Sequence, residues 1–201
     1  MCAMLTIVET SSASYAPRTY FNARAADATV AFAVDASTRG ELLTKKAAAE
    51  RYLFVPLDLA RAPVEAARDV YRHAAKRLAA RSLNIAGNGI YTLAQYGVQQ
   101  AALNAWVYEV LRTVHQYHRI ERIYTGGQTG VDLAGAVAAV ALAIDCTVTF
   151  PKGFIQRGVD KVDRAHSRDE IHAMITRQAL ALTDPERASV PPRPDSMEPT
   201  F

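Results

Sequence analysis

Short apolar runs alternate with helix-like segments along most of this 201-residue chain, and that alternation constrains the fold more than any other feature. Thr29–Val34, Tyr52–Leu57, Ser82–Ala86, Arg122–Thr125 and Thr147–Phe150 read as strands. Helices are expected over 37–50, 63–80, 98–117, 131–144 and 168–181. Pro63 suits a first helical position. In 98–117, Leu103, Trp106, Val107, Val110, Leu111 and Val114 recur at three- and four-residue spacing, the pattern of one buried helical face. Residues 154–167 read as loop. Strands alternating with helices predict an α/β fold, a Rossmann-like parallel sheet flanked by helices on both faces. Ligands of such sheets bind beyond the carboxyl ends of the strands.

Composition narrows the function classes without choosing one. Half of the residues (50%) are hydrophobic and 21% are charged, which excludes wholesale disorder. Lys plus Arg number 23 against 20 Asp plus Glu, a net charge of +3. That balance suits an anionic small molecule, and no Lys/Arg stripe or recognition motif points to nucleic acid. Cys2 and Cys146 cannot build a disulfide framework, which suggests a reducing compartment. The start lacks a signal-peptide pattern, and the longest apolar run, Leu133–Ile144, is too short for a bilayer span. A cytoplasmic protein without membrane contact is therefore expected. Residues 1–182 are expected to form one ligand-binding domain, and the proline-rich 183–201 a disordered tail. Alanine is abundant, which allows helices to sit close to a sheet.

The sharpest motif is Thr125-Gly-Gly-Gln-Thr-Gly-Val-Asp132, between a strand and a helix. Glycines let a backbone approach a ligand closely, and a helix start offers free N–H groups and a positive dipole end. Gly126, Gly127 and Gly130 would shape an anion cradle, with Thr129 and Gln128 adding side-chain donors. Asp132 would repel a phosphate. It is better suited to accepting from ribose or amine donors, or simply to favouring the helix start. A tight turn without a ligand is the plain alternative. The motif is neither a Walker A loop nor the dinucleotide fingerprint.

Gly126–Asp132, followed after one helix and one strand by Pro151-Lys152-Gly153, resembles the molybdenum cofactor carrier family of the SLOG group of Rossmann-like domains. Tyr15-Ala-Pro-Arg18-Thr19, Asn22 and Ala26–Val30 resemble a segment that follows the glycine loop in that family. Leu83–Gly87 resembles its last strand. The order here is reversed, so the resemblance implies a circular permutant, with the 98–117 helix joining the old termini. Two departures stand out. Ser37-Thr38-Arg39-Gly40-Glu41 replaces a Gly-Gly-Thr turn, although Ser37 and Thr38 can still cap and Arg39 can still contact an anion. Phe150 stands where a cysteine is frequent.

By this resemblance Arg18 and Asn22 line the pocket. Lys152, beside Gly153, reads as a phosphate partner or a solvated turn lysine, and Arg39 as a contact or a surface residue. Asn88, after Gly87, reads as a ligand contact or a left-handed turn residue. The five histidines are scattered, and no metal site is expected. The expected function is binding, as carrier or sequestration, of a phosphate-bearing nucleotide or pterin-type ligand. The resemblance implies molybdenum cofactor or an ADP-ribose- or NAD-related nucleotide, and a homo-oligomer. The alternative is a phosphoribohydrolase that cleaves the N-glycosidic bond of a nucleoside monophosphate. Such enzymes show a P-G-G-x-G-T-x-x-E pattern, matched here only in part by Ser37–Glu41, with Glu41 or Asp132 as candidate catalytic residues.

Overall fold

A computed structural model describes residues 4–184. Cys2 and the proline-rich stretch beyond Asp184, expected to be a disordered tail, lie outside the described residues. Six parallel strands form one sheet in the order β1 (Leu5–Glu9), β6 (Asp145–Phe150), β5 (Arg122–Thr125), β4 (Ser82–Gly87), β2 (Ala28–Ala33), β3 (Tyr52–Pro56). The strands at Thr29 and Arg122 thus share a sheet, as a permuted single sheet requires. Ser82 pairs with Arg122 and Thr29 with Asn84, so β4 joins the two halves of the chain. The central strands are apolar runs buried on both faces, as a sheet covered by helices demands: every residue of β2 is buried.

One face carries α1 (Tyr15–Ala25) and α2 (Arg39–Ala48). The other carries α3 (Pro63–Val70, continued as a π-helical stretch to Arg77), α5 (Gln100–Tyr117), α6 (Val131–Ala141) and α7 (Arg168–Thr183). α6 is the closest-packed helix. Ala134, Ala136, Ala138 and Ala139 are fully buried, and a Cβ on Gly135 would lie 2.7 Å from Ile85 Cγ2. Small side chains let this helix press against β4. Trp106 of α5 meets Phe32 edge-to-face at 5.5 Å, and its indole N–H donates to the Arg61 carbonyl.

Five elements differ from the expected pattern. β1 and α1 form where no element was expected. β1 is a five-residue edge strand, and α1 buries only Asn22 and Ala23, so neither shows a strong apolar period. The short α4 (Ile90–Leu93) follows β4. Within 154–167, β7 (Gln156–Arg157) and β8 (Asp163–Arg164) pair as an antiparallel hairpin. No described helix is long and apolar enough to cross a membrane.

Candidate functional site

A cavity of about 460 Å³ opens beyond the carboxyl ends of the central strands. One wall is a face of α1. Tyr15, Arg18, Thr19 and Asn22 follow helical spacing and all reach the cavity. The second wall is the start of α2, Thr38 to Glu41. Gly87 and Asn88, at the end of β4, and Gly126, Gln128, Thr129 and Asp132, after β5, form the floor.

At the floor Arg18 Nη1 donates to Asp132 Oδ2 at 2.7 Å. The two side chains are only 11% and 10% exposed. Gly126 makes this pair feasible: a Cβ there would fall 1.3 Å from Arg18 Nη1 and 2.2 Å from Asp132 Oδ2. Burial lifts the Asp132 carboxyl above the usual range, and Arg18 opposes that lift. Glu41 is 2% exposed. Burial first, and Asp132 second, push its carboxyl from 4.5 up to about 7, against the lowering influence of the nearby Tyr52 hydroxyl. Among the described residues, three buried polar atoms of this cavity have no partner: Arg18 Nε, Asn22 Oδ1 and Glu41 Oε2. Buried polar groups are rarely left so.

The Glu41 shift predicts a pH dependence of stability. A carboxyl held neutral by the fold contributes stability that is fully present below about 4.5 and lost as pH rises through about 7. Glu41→Gln is expected to flatten the melting temperature across this window and to be the more stable form above it. Parallel melting curves of the two proteins from pH 4 to 8 would show that Glu41 is not the titrating group.

The glycine loop differs from the open cradle that its sequence predicts. The Gly130 N–H donates to Gln100 Oε1 at 2.6 Å, and Gln100 Nε2 donates back to the Gly130 carbonyl. The Val131 N–H goes to the Asn88 carbonyl and the Leu133 N–H to that of Gln128. Gln128 donates to the Ile155 carbonyl and accepts from the Arg157 N–H, and the Thr129 hydroxyl donates to the Arg157 carbonyl. The Gly130 N–H and the side chains of Gln128 and Thr129, expected to face a phosphate, therefore hold the start of α6 and the β7–β8 hairpin. Gly127 turns away from the cavity. Its φ is +69°, and a Cβ would lie 2.3 Å from Phe150 Cζ.

The start of α2 is open instead. Thr38 caps it, accepting from the Glu41 N–H at 3.3 Å. Among the described residues, nothing accepts from the N–H groups of Arg39 and Gly40, and the Arg39 guanidinium makes no ion pair. A Cβ on Gly40 would meet nothing within 4 Å.

Other expected contacts lie elsewhere. Ser37 is exposed, bonds to Asp35 Oδ1 and does not line the cavity. Asn88 does line it, but its amide is engaged: Oδ1 accepts from the Val34 and Asp35 N–H groups, and Nδ2 donates to the Asp35 carbonyl. It is not a left-handed turn residue, since its φ is not positive. Lys152 and Gly153 stay outside the cavity, because their turn is tied back to the end of β1. The Lys152 N–H goes to the Ser12 carbonyl at 2.9 Å and the Gly153 N–H to Glu9 Oε2 at 2.6 Å. The third cation of the cavity is Arg157, which the sequence reading missed together with Tyr15 and Tyr91. Recognising 15–25 as a helix would have exposed Tyr15. Arg157 carries no local signal. Among the described residues no group of three or more His, Cys, Asp or Glu is placed to share a metal ion.

Residues 2–95 match the circularly permutated YpsA SLOG family. The matched segment carries Arg18, Asn22, Thr38–Glu41, Gly87 and Asn88, and stops before Gly126. No curated protein and no solved structure matches the chain. The match, taken with the parallel sheet, supports placement in the SLOG superfamily and a permuted chain order.

Proposed function

We propose that this cavity binds a nucleotide-type ligand, with its phosphate at the start of α2 and its sugar against α1. The carrying observation is the set of partnerless buried atoms, Arg18 Nε, Asn22 Oδ1 and Glu41 Oε2, in the same cavity as the open amides of Arg39 and Gly40. A sugar ring bears hydroxyls that both donate and accept, which answers one N–H donor and two oxygen acceptors. The two amides, the positive end of α2 and Arg39 supply an anion site without a competing acceptor. Carrier or sequestration roles need no more than this.

Thermal stabilisation tests the reading. Ribose 5-phosphate is expected to raise the melting temperature more than inorganic phosphate or ribose at the same concentration. Arg39→Ala should remove most of that gain. Equal shifts for phosphate and ribose 5-phosphate would rule out the sugar contacts.

Glu41 favours a second reading, hydrolysis of an N-glycosidic bond. A carboxyl poised near neutrality beside a second carboxyl is frequent at acid–base sites. Glu41 or Asp132 would then stabilise the positive charge that develops on the sugar as the bond to the base lengthens. Sustained release of free adenine from AMP would select hydrolysis, and intact AMP with thermal stabilisation would select binding.

A further inference from the structure

We propose that the mouth of the cavity is a subsite for a planar heteroaromatic ring, built from Tyr91 and Arg157 with Tyr15 behind them. This rests on the sugar-phosphate reading and names the third part of the same ligand.

All three side chains line the cavity, and none has a role in the floor or the anion site. Arg157 projects from the β7–β8 hairpin. Its Nε and Nη2 donate to the two oxygens of Asp163, each at 2.8 Å, and the Tyr15 hydroxyl donates to the same carboxylate at 3.0 Å. Its guanidinium carbon lies 5.6 Å from the centre of the Tyr15 ring. A guanidinium held in this way keeps a flat face, and such faces stack on rings. Tyr91 is the second residue of α4. Its ring lies against the Gly89 backbone, where a Cβ would be 3.2 Å from Tyr91 Cε1. Lys161 of the hairpin turn is 5.9 Å from its centre. Among the described residues the Tyr91 hydroxyl has no hydrogen-bond partner.

The wall is anchored before any ligand arrives. Gln128 and Thr129 tie the hairpin to the glycine loop, and Gln156 Nε2 donates to the Gly127 carbonyl at 2.6 Å. Asp160–Arg164 and Arg157–Asp163 brace the hairpin itself. Rigid flat groups bind a ring with little loss of side-chain freedom. The engagement of Gln128 and Thr129, unexpected for a phosphate loop, thus has a use: the loop holds a ring platform. The cavity of about 460 Å³ is of the size that encloses a ligand larger than a sugar phosphate.

A nucleobase and a pterin share this chemistry. Titration calorimetry with ribose 5-phosphate, AMP and neopterin monophosphate separates the sources, using the full chain, Tyr91→Leu and Tyr91→Phe. At least one ring-bearing probe is expected to bind the wild type more tightly than ribose 5-phosphate. Tyr91→Leu should weaken that probe roughly tenfold and leave ribose 5-phosphate unchanged, and Tyr91→Phe should retain the wild-type affinities. The better of AMP and neopterin monophosphate identifies the ring. Equal affinities for all three probes, or equal weakening of all three by Tyr91→Leu, would overturn the ring subsite and leave the sugar-phosphate reading standing. A wild type that binds none of them would overturn both.

Discussion

Gly127→Val is expected to destabilise the protein strongly, by about 2–6 kcal/mol. The sequence offers Gly127 as a ligand contact, but the structure makes it a packing position. Its φ is +69°, a conformation that β-branched residues avoid. A Cβ would enter the Phe150 ring, 2.3 Å from Cζ and 2.6 Å from Cε2, and would also lie 2.7 Å from Val148 Cγ1. Phe150 and Val148 are fully buried on β6, beside β1, and neither can retreat cheaply. Overpacking costs about 1–3 kcal/mol, and the forced backbone costs about 1–3 kcal/mol more. Together they amount to about 2–6 kcal/mol, a large part of the roughly 5–15 kcal/mol that holds a typical domain folded. Urea denaturation checks this, with Gly40→Ala as the control, because a Cβ there meets nothing. The control should match or exceed the wild type. A Gly127→Val protein with an unchanged midpoint would show that β6 does not pack as described.

Arg18→Ala is expected to destabilise the protein by about 3–5 kcal/mol at neutral pH, the usual loss when one partner of a buried ion pair is removed. Asp132 is then buried without its Arg18 partner, in a site that already lifts its carboxyl above the ordinary range. The sign with pH follows. A carboxyl whose folded value is raised suffers no penalty below its unfolded value, where it is neutral in both states. The penalty grows as pH rises through the folded value. The Arg18→Ala defect should therefore shrink in acid. Asp132→Asn added to Arg18→Ala should recover part of the loss at neutral pH, since it removes the unpaired charge. Denaturant midpoints of the wild type, both single variants and the double variant measure this coupling. Strictly additive losses would mean that the two side chains act independently.

The strand–helix rhythm was readable because buried parallel strands and packed helices leave strong apolar patterns. β2 is apolar throughout, and α5 carries its stripe from Leu103 to Val114. β1 and α1 left none, because α1 turns polar residues toward a cavity instead of a core. Gly126, Asp132, Arg18 and Asn22 were expected near one pocket, and the structure brings them together. The direction in which each loop turns was not legible. Whether the Gly130 N–H faces a ligand or the protein depends on Gln100, thirty positions before it. Whether Lys152 or Arg157 supplies the third cation depends on how the 151–153 turn ties to Glu9 and Ser12. Both are long-range choices, which local spacing does not encode.

The central claim is that the anion belongs to the start of α2 and not to the glycine loop. A crystal soaked with ribose 5-phosphate tests it most directly. The account predicts phosphate oxygens about 2.7–3.2 Å from the N–H nitrogens of Arg39 and Gly40, with the sugar hydroxyls on Asn22 and Glu41. A phosphate seated against Gly126–Gly130, with the Gln100 and Asn88 bonds to that loop broken, would contradict it.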